Sequence, residues 1–246
     1  MKPDVQIVED AAQLSAALAD LFIDSARIAI AETGRFRVAL SGGNTPKTAY
    51  ALLAQEPRRS AIYWRDVFIY FGDERCVPPD NEQSNYRMAN EAFLSRIKIP
   101  LGNIHRMRGE VEPDAGAESY AKLLVADMGP LPRFDLILLG MGPDGHTASL
   151  FPGTPPLNDD ALLVRAPFVA KFNTYRLTIT PRVINNARHV IIATEGAEKA
   201  AALAAALQGA PDPEKYPVQI VAPTDGALTW LVDRAAASQL DTANIS

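Results

Sequence analysis

Short apolar runs alternate with helical spacings along almost the whole chain. Val5–Val8 predicts a strand. From Ala11 to Ala31 apolar residues recur at helical intervals (Leu14, Leu18, Leu21, Ile28), with Gly34 as the stop. Phe36–Leu40 predicts a second strand, followed by a glycine-rich turn and a helix over Pro46–Ala54. Val67–Phe71 is strand-like, Asn85–Ile97 helical, Ile104–Met107 a short strand and Ala115–Asp127 a helix. Phe134–Leu139 is the most apolar strand candidate. Leu162–Ala170 and Arg176–Thr180 read as strands, the second with alternating polarity. Val190–Ala193 is a strand before the alanine-rich helix Ala197–Leu207. Val218–Val221 and Ala227–Leu231 predict short strands, and Val232–Ala237 begins a last helix.

Apolar strands that alternate with helices predict a mostly parallel, doubly wound sheet with helices on both faces, a Rossmann-like α/β fold. No shift of composition marks a boundary, so residues 1–246 are expected to form a single α/β domain. Pro152–Asp160 and Gln208–Pro217 are polar and proline-rich, and are expected to be surface loops.

Composition narrows the function. Hydrophobic residues are 48% and charged residues 22% of the chain, which excludes a disordered protein. A formal net charge of −5 argues against a surface built for nucleic acid or an anionic membrane. A single cysteine, Cys76, leaves no internal disulfide or cysteine-rich metal site. The start Met1-Lys2-Pro3-Asp4 and the acidic Glu9 and Asp10 do not read as a signal peptide, and no apolar run is long enough to span a membrane. A cytoplasmic protein is expected, a monomer or small homo-oligomer.

In parallel sheets ligands bind beyond the carboxyl ends of the strands, so the segments that follow strands carry the chemistry. Three such segments stand out. In Ser41-Gly42-Gly43-Asn44-Thr45-Pro46, Thr45 and Pro46 suit the cap and first position of a helix. The glycines admit a close ligand and the helix start offers free N–H groups, so an anion site competes with a plain tight turn. It is not a Walker loop, and Ser41 lies in no nucleophile elbow. Gly72-Asp73-Glu74-Arg75 puts three charges after an apolar strand: a solvated loop, or Arg75 placed over an anion or beside a base.

The third segment, Gly140-Met141-Gly142-Pro143-Asp144-Gly145-His146, matches Gly-x-Gly-x-x-Gly. Asp144 would repel a pyrophosphate there, and the carboxylates at the right separation, Asp159 and Asp160, precede the next strand instead of ending it, so a dinucleotide site is disfavoured. Of the three histidines, His105 and His189 flank ordinary strands, whereas His146 follows a glycine turn at the ligand edge. An imidazole there can take a proton from water; a capping or surface histidine is the competing reading. Asp144 and His146 lack a third ligand at metal-site spacing.

These motifs together resemble one family. Ser41–Pro46, Gly72–Arg75 with Val77-Pro78 and Ser84-Asn85-Tyr86, and Gly140–Pro152, which reads Gly-Met-Gly-Pro-Asp-Gly-His-Thr-Ala-Ser-Leu-Phe-Pro, are similar to the glucosamine-6-phosphate isomerase/6-phosphogluconolactonase superfamily. Arg176–Thr180 and Gly196–Ala200 fit the same order, and the likeness runs from Val38 to Ala237. Ser84–Tyr86 and Thr147–Pro152 follow the lactonase branch; the deaminase branch carries Asp-His-Pro near the second segment and Ile-Ala-Phe-Asn-Glu-Pro after its histidine.

The resemblance implies hydrolysis of 6-phospho-D-glucono-1,5-lactone to 6-phosphogluconate in the oxidative pentose phosphate pathway, with no cofactor, metal or covalent intermediate. It implies a phosphate held on Ser41, Gly42, Gly43, Asn44 and Thr45, with Arg176 and Lys199 completing the charge shell. Lys199 falls in the first turn of its helix, where an anionic partner would offset the dipole; a solvated lysine is the competing reading. His146 is implied as the general base, with Arg75 stabilising charge or positioning it and Asp144 orienting the loop. The alternatives are a deaminase/isomerase acting on an amino sugar phosphate and a sugar-phosphate sensor without turnover.

Overall fold

The computed structural model describes residues 4–154, 157 and 161–241. Part of the Pro152–Asp160 loop, including Asp159 and Asp160, and the Met1–Pro3 terminus lie outside the described residues.

The chain forms β1 (Asp4–Val8), α1 (Ala11–Thr33), β2 (Phe36–Leu40), α2 (Asn44–Leu53), β3 (Val67–Phe71) and β4 (Asp73–Arg75). Next come α3 (Asn85–Ala92), α4 (Pro113–Met128), β5 (Leu136–Gly140), β6 (Val164–Arg165), β7 (Phe168–Val169) and β8 (Thr174–Ile179). Last are α5 (Pro181–Ile184), β9 (His189–Thr194), α6 (Ala200–Gln208) and β10 (Ala227–Asp233). Six strands make one parallel sheet in the order β1-β10-β9-β5-β2-β3. With its helices it is the doubly wound α/β arrangement expected.

Local chemistry sets the element ends. The Asp10 carboxylate caps α1 by accepting from the Gln13 N–H at 2.8 Å, and Gly34 stops the helix at φ 75°, a left-handed conformation that glycine adopts without strain. Leu14, Leu18, Phe22, Ala26 and Ala29 carry its buried face; Ile28, expected on that face, is exposed. The helix expected from Pro46 begins earlier, at Asn44. Gly43, with φ 110°, is its cap in place of Thr45, and Pro46 falls in the first turn, where a missing N–H costs nothing.

Other expectations need correction. Leu162–Ala170 is not one strand but β6 and β7, interrupted at Ala166-Pro167, where proline offers no N–H. Ile104–Met107 contributes one bridge, Ile104 to Ile69. In place of the strand expected over Val218–Val221 there is a 3-10 turn, Pro217–Ile220, and Val232 belongs to β10, with only a 3-10 turn, Ala236–Gln239, beyond it among the described residues. The helix expected over Asn85–Ile97 ends at Ala92, where Phe93 leaves helical geometry at φ −150°, ψ −35°. The larger surprise is a second sheet, β4-β8-β6, antiparallel and standing at the carboxyl edge of the first.

Candidate active site

From β2 the chain moves outward to β3, returns to β5 on the other side of β2, and then continues to β9 and β10. The direction of winding therefore reverses between β2 and β5, and such a reversal opens a crevice at the carboxyl ends of the two strands. A cleft of about 330 Å³ lies there. Its walls bring together the segment after β2, the segment after β5, β4 and β8 of the small sheet, and the turn before α6. Every anticipated site residue lines it except Asp144, which stands behind His146.

The floor is the Ser41–Thr45 segment. The Tyr50 hydroxyl accepts from the Ser41 N–H and donates to the Ser41 carbonyl, each at 3.1 Å. Complete burial pushes the Tyr50 phenol well above its ordinary range, so it stays a neutral clamp. Gly42 is required by contact: a Cβ there would lie 1.9 Å from Asn85 Oδ1. The first-turn N–H groups of α2 have no intrahelical acceptors and face an anion-sized space.

The Gly140–His146 segment presents His146. Its Nδ1 is hydrogen-bonded to Asp144 Oδ1, and Lys171 Nζ bonds Asp144 Oδ2 at 2.9 Å. The hydrogen bond from His146, ahead of that from Lys171, holds the Asp144 carboxyl well below the usual carboxylate range. An ionised carboxylate can only accept, so Nδ1 carries a ring proton and Nε2 is the nitrogen left unpaired with Asp144. The ring stacks on Phe151 with centroids 4.2 Å apart. Behind the loop, Gly145 at φ 75° leaves room for Tyr216, and its carbonyl accepts from the Val218 N–H at 2.9 Å. The expected surface loop Gln208–Pro217 thus ends as a buttress of the histidine segment.

Ala148 follows at φ 47°, a left-handed conformation costly for a residue with a Cβ. Its neighbours hold it there: Thr147 Oγ1 donates to the Gly140 carbonyl at 2.8 Å and Ser149 Oγ to Asp73 Oδ2 at 2.7 Å.

Gly72–Arg75 is not the solvated loop that its charges allowed. Asp73–Arg75 is β4, paired with Arg176–Thr178 of β8, so Arg75 and Arg176 sit directly opposite each other. Like charges in that register repel. Burial, and then the charge of Arg75, lower the Arg176 pKa below its ordinary value. Arg75 Nε and Arg176 Nε are buried without a hydrogen-bond partner among the described residues. Two crowded guanidiniums with open donors form a site electrostatically prepared for an anion.

Glu74, also buried, accepts from Ser84 Oγ and from the N–H groups of Asn85 and Tyr86 at 2.7–3.0 Å. Burial raises its pKa despite these bonds. It ties β4 to the start of α3 and so sets Asn85 against Asp73. Lys199 ends a 3-10 turn, Ala197–Lys199, just before α6, and reaches the cleft from there. That turn is fixed by Asp233, which accepts from the Gly196 N–H at 3.1 Å.

The chain matches the glucosamine-6-phosphate isomerases/6-phosphogluconolactonase family over residues 9–230. It belongs to this family. It is 43% identical over 217 residues to a 6-phosphogluconolactonase of Synechocystis sp., covering 86% of this chain and 88% of the relative. A 6-phosphogluconolactonase of Nostoc sp. is 38% identical over 98% of this chain and 99% of its own. The solved structure of the 6-phosphogluconolactonase from Trypanosoma brucei superposes with a TM-score of 0.87 at 30% identity, over 97% of this chain and 99% of that one. No described helix is long and apolar enough to cross a membrane.

Within the family fold the sequence left five polar or aromatic cleft residues without a role. Asp73, Asn85, Ser149, Phe151 and Phe172 all line the site. Asn85 and Ser149 lie inside quoted motifs, so their positions were visible while their partners were not. Phe172 has no local signal at all, because its place depends on the β7–β8 hairpin.

Proposed function

We propose that the protein hydrolyses a phosphorylated sugar lactone, 6-phospho-D-glucono-1,5-lactone, to 6-phosphogluconate, the reaction of the oxidative pentose phosphate pathway. The observation that carries this reading is that His146, held through Nδ1 by Asp144, shares one cleft with an open shelf of N–H groups and cations. The named relatives are lactonases, which favours this branch of the family over the deaminase branch.

The phosphate rests on the N–H groups of Gly42–Thr45 beside Ser41, with Arg176 and Lys199 as counter-charges. His146 removes a proton from a water as the oxygen attacks the C1 carbonyl. The tetrahedral intermediate then collapses, the bond from C1 to the ring oxygen breaks, and His146 returns the proton to that oxygen. Arg75 stabilises the negative charge that develops on the carbonyl oxygen. Asp144 keeps the imidazole in one tautomer and stabilises the transient imidazolium. A general base of this kind supplies about 10²–10⁴-fold, sufficient for an ester that already opens in water.

The test compares base-corrected hydrolysis of the freshly made phosphorylated lactone with hydrolysis of the unphosphorylated lactone and with ammonia release from glucosamine 6-phosphate. Faster opening of the phosphorylated lactone alone, with the preference for phosphate reduced in Lys199→Ala, supports the proposal. Ammonia release would move the protein to the deaminase branch, and binding without turnover would make it a sensor.

A further inference from the structure

Lys171 belongs to no motif in the sequence, yet with Asp144 it makes a pair of charged groups that ends on the His146 ring. It sits in the 3-10 turn Ala170–Phe172 between β7 and β8, closed by Asn173 at φ 48°. Its Nζ takes Asp144 Oδ2 at 2.9 Å while Oδ1 of the same carboxylate holds His146 Nδ1. The adjacent residue keys the same hairpin to the same ring by a second route. Phe172 meets Phe151 edge-on with centroids 5.8 Å apart, and Phe151 carries the His146 ring in its stack. Arg176 lies over the Phe172 ring, 5.0 Å from its centroid.

We propose that Lys171 is a positioning residue for His146: it pins the Asp144 carboxylate so that one oxygen faces the ring, and it offsets part of that carboxylate's negative charge at the ring. This inference rests on the reading of His146 as the base.

The reasoning weighs two effects. The lysine side chain is 54% exposed, so its ion pair adds little to folding stability. An unopposed carboxylate against imidazole favours the charged ring, which cannot accept a proton from water. The lysine charge, one carboxylate width from the ring, works the other way. The other charges facing His146 come from elsewhere: Asp73 and Arg75 from β4, Arg176 from β8 and Lys199 from the turn before α6, all on the cleft wall. Lys215 flanks Tyr216 behind Gly145. Of the cations, Lys171 alone among the described residues bonds the carboxylate that bonds His146.

The experiment measures kcat/KM for the lactone against pH in wild type, Lys171→Met and Lys171→Arg, alongside an NMR titration of the His146 imidazole in the free proteins. The His146 signal is assigned by its loss in His146→Gln. In Lys171→Met the acidic limb and the imidazole midpoint are both expected to move up by about 0.5–1 pH unit, for a charge on the far side of one carboxylate in a partly aqueous setting. Lys171→Arg is expected to restore both. High salt should move wild type toward the methionine variant, because the pair is exposed to screening. If the imidazole of Lys171→Met titrates where the wild-type ring does, the proposal is wrong, whatever happens to kcat. If wild type fails to open the lactone, the functional reading falls, and the imidazole titration still decides the part assigned to Lys171.

Discussion

The Asn85 amide occupies the place where a side chain at Gly42 would begin: a Cβ built on Gly42 lies 1.9 Å from Asn85 Oδ1. Asn85 has little freedom to withdraw, because its Nδ2 donates to the Asp73 carbonyl at 2.9 Å and to Asp73 Oδ1 at 3.2 Å. The Ser41–Thr45 shelf, the proposed phosphate site, and the small sheet are therefore fitted to each other at this one point. Gly42→Ala is expected to displace the shelf and raise KM for the phosphorylated lactone by about tenfold or more. Steady-state kinetics beside a thermal melt checks this. An unchanged KM in a folded variant would mean that the shelf does not hold the substrate.

Gly142 makes a similar case for the histidine. A Cβ there would lie 2.1 Å from both His146 Nδ1 and Cε1, and 2.8 Å from Asp144 Oδ1. Its N–H donates to the His146 carbonyl at 2.9 Å, so the backbone cannot move aside without losing the turn. Gly142→Ala should lower kcat by about 10²-fold, the scale on which misplacement of a catalytic group is felt, while KM changes far less. Loss in KM alone would place the ring in binding instead of chemistry.

Asp144→Asn replaces an obligate acceptor by an amide that can also donate, so the ring is free to adopt the other tautomer. A fall in kcat of at least about 10²-fold is expected, in line with the loss of an orienting carboxylate behind a histidine base. Stability gives an independent reading. The native carboxyl is held below its ordinary value by His146 and Lys171, so its contribution is present above the unfolded pKa and is lost as pH falls through the native one. The difference in melting temperature between wild type and Asp144→Asn should therefore shrink from about pH 4 downward. A difference that stays constant over pH 2–4 would contradict the ionised pair.

The strands and the segments that carry chemistry were legible because their signals are local. β2 and β3 have the expected bounds, and β5, β9 and β10 differ at their ends only. Largely apolar segments five to seven residues long mark buried parallel strands, and glycines mark where backbone meets ligand or neighbour. The small sheet was not legible. β4 is three charged residues, Asp73-Glu74-Arg75, a composition that reads as solvent-exposed until β8, about a hundred residues later, supplies its partner. Asp73, Asn85, Ser149 and Lys171 owe their places to that long-range pairing and to the hairpin beside it. Their roles follow from contacts 12–76 residues apart that no window of sequence contains. His146 was legible in position, while the proton placement on its ring required the Asp144 geometry.

The central claim is that His146 is the base for lactone opening, and one comparison tests it most directly. The rate at which freshly generated 6-phosphogluconolactone opens, corrected for its spontaneous reaction, is measured with wild type and with folded His146→Ala. The account expects clear acceleration by wild type and a drop in kcat of at least about tenfold in the variant. A variant that retains near-normal kcat would contradict it and return the search for the base to Asp73 and its neighbours in the cleft.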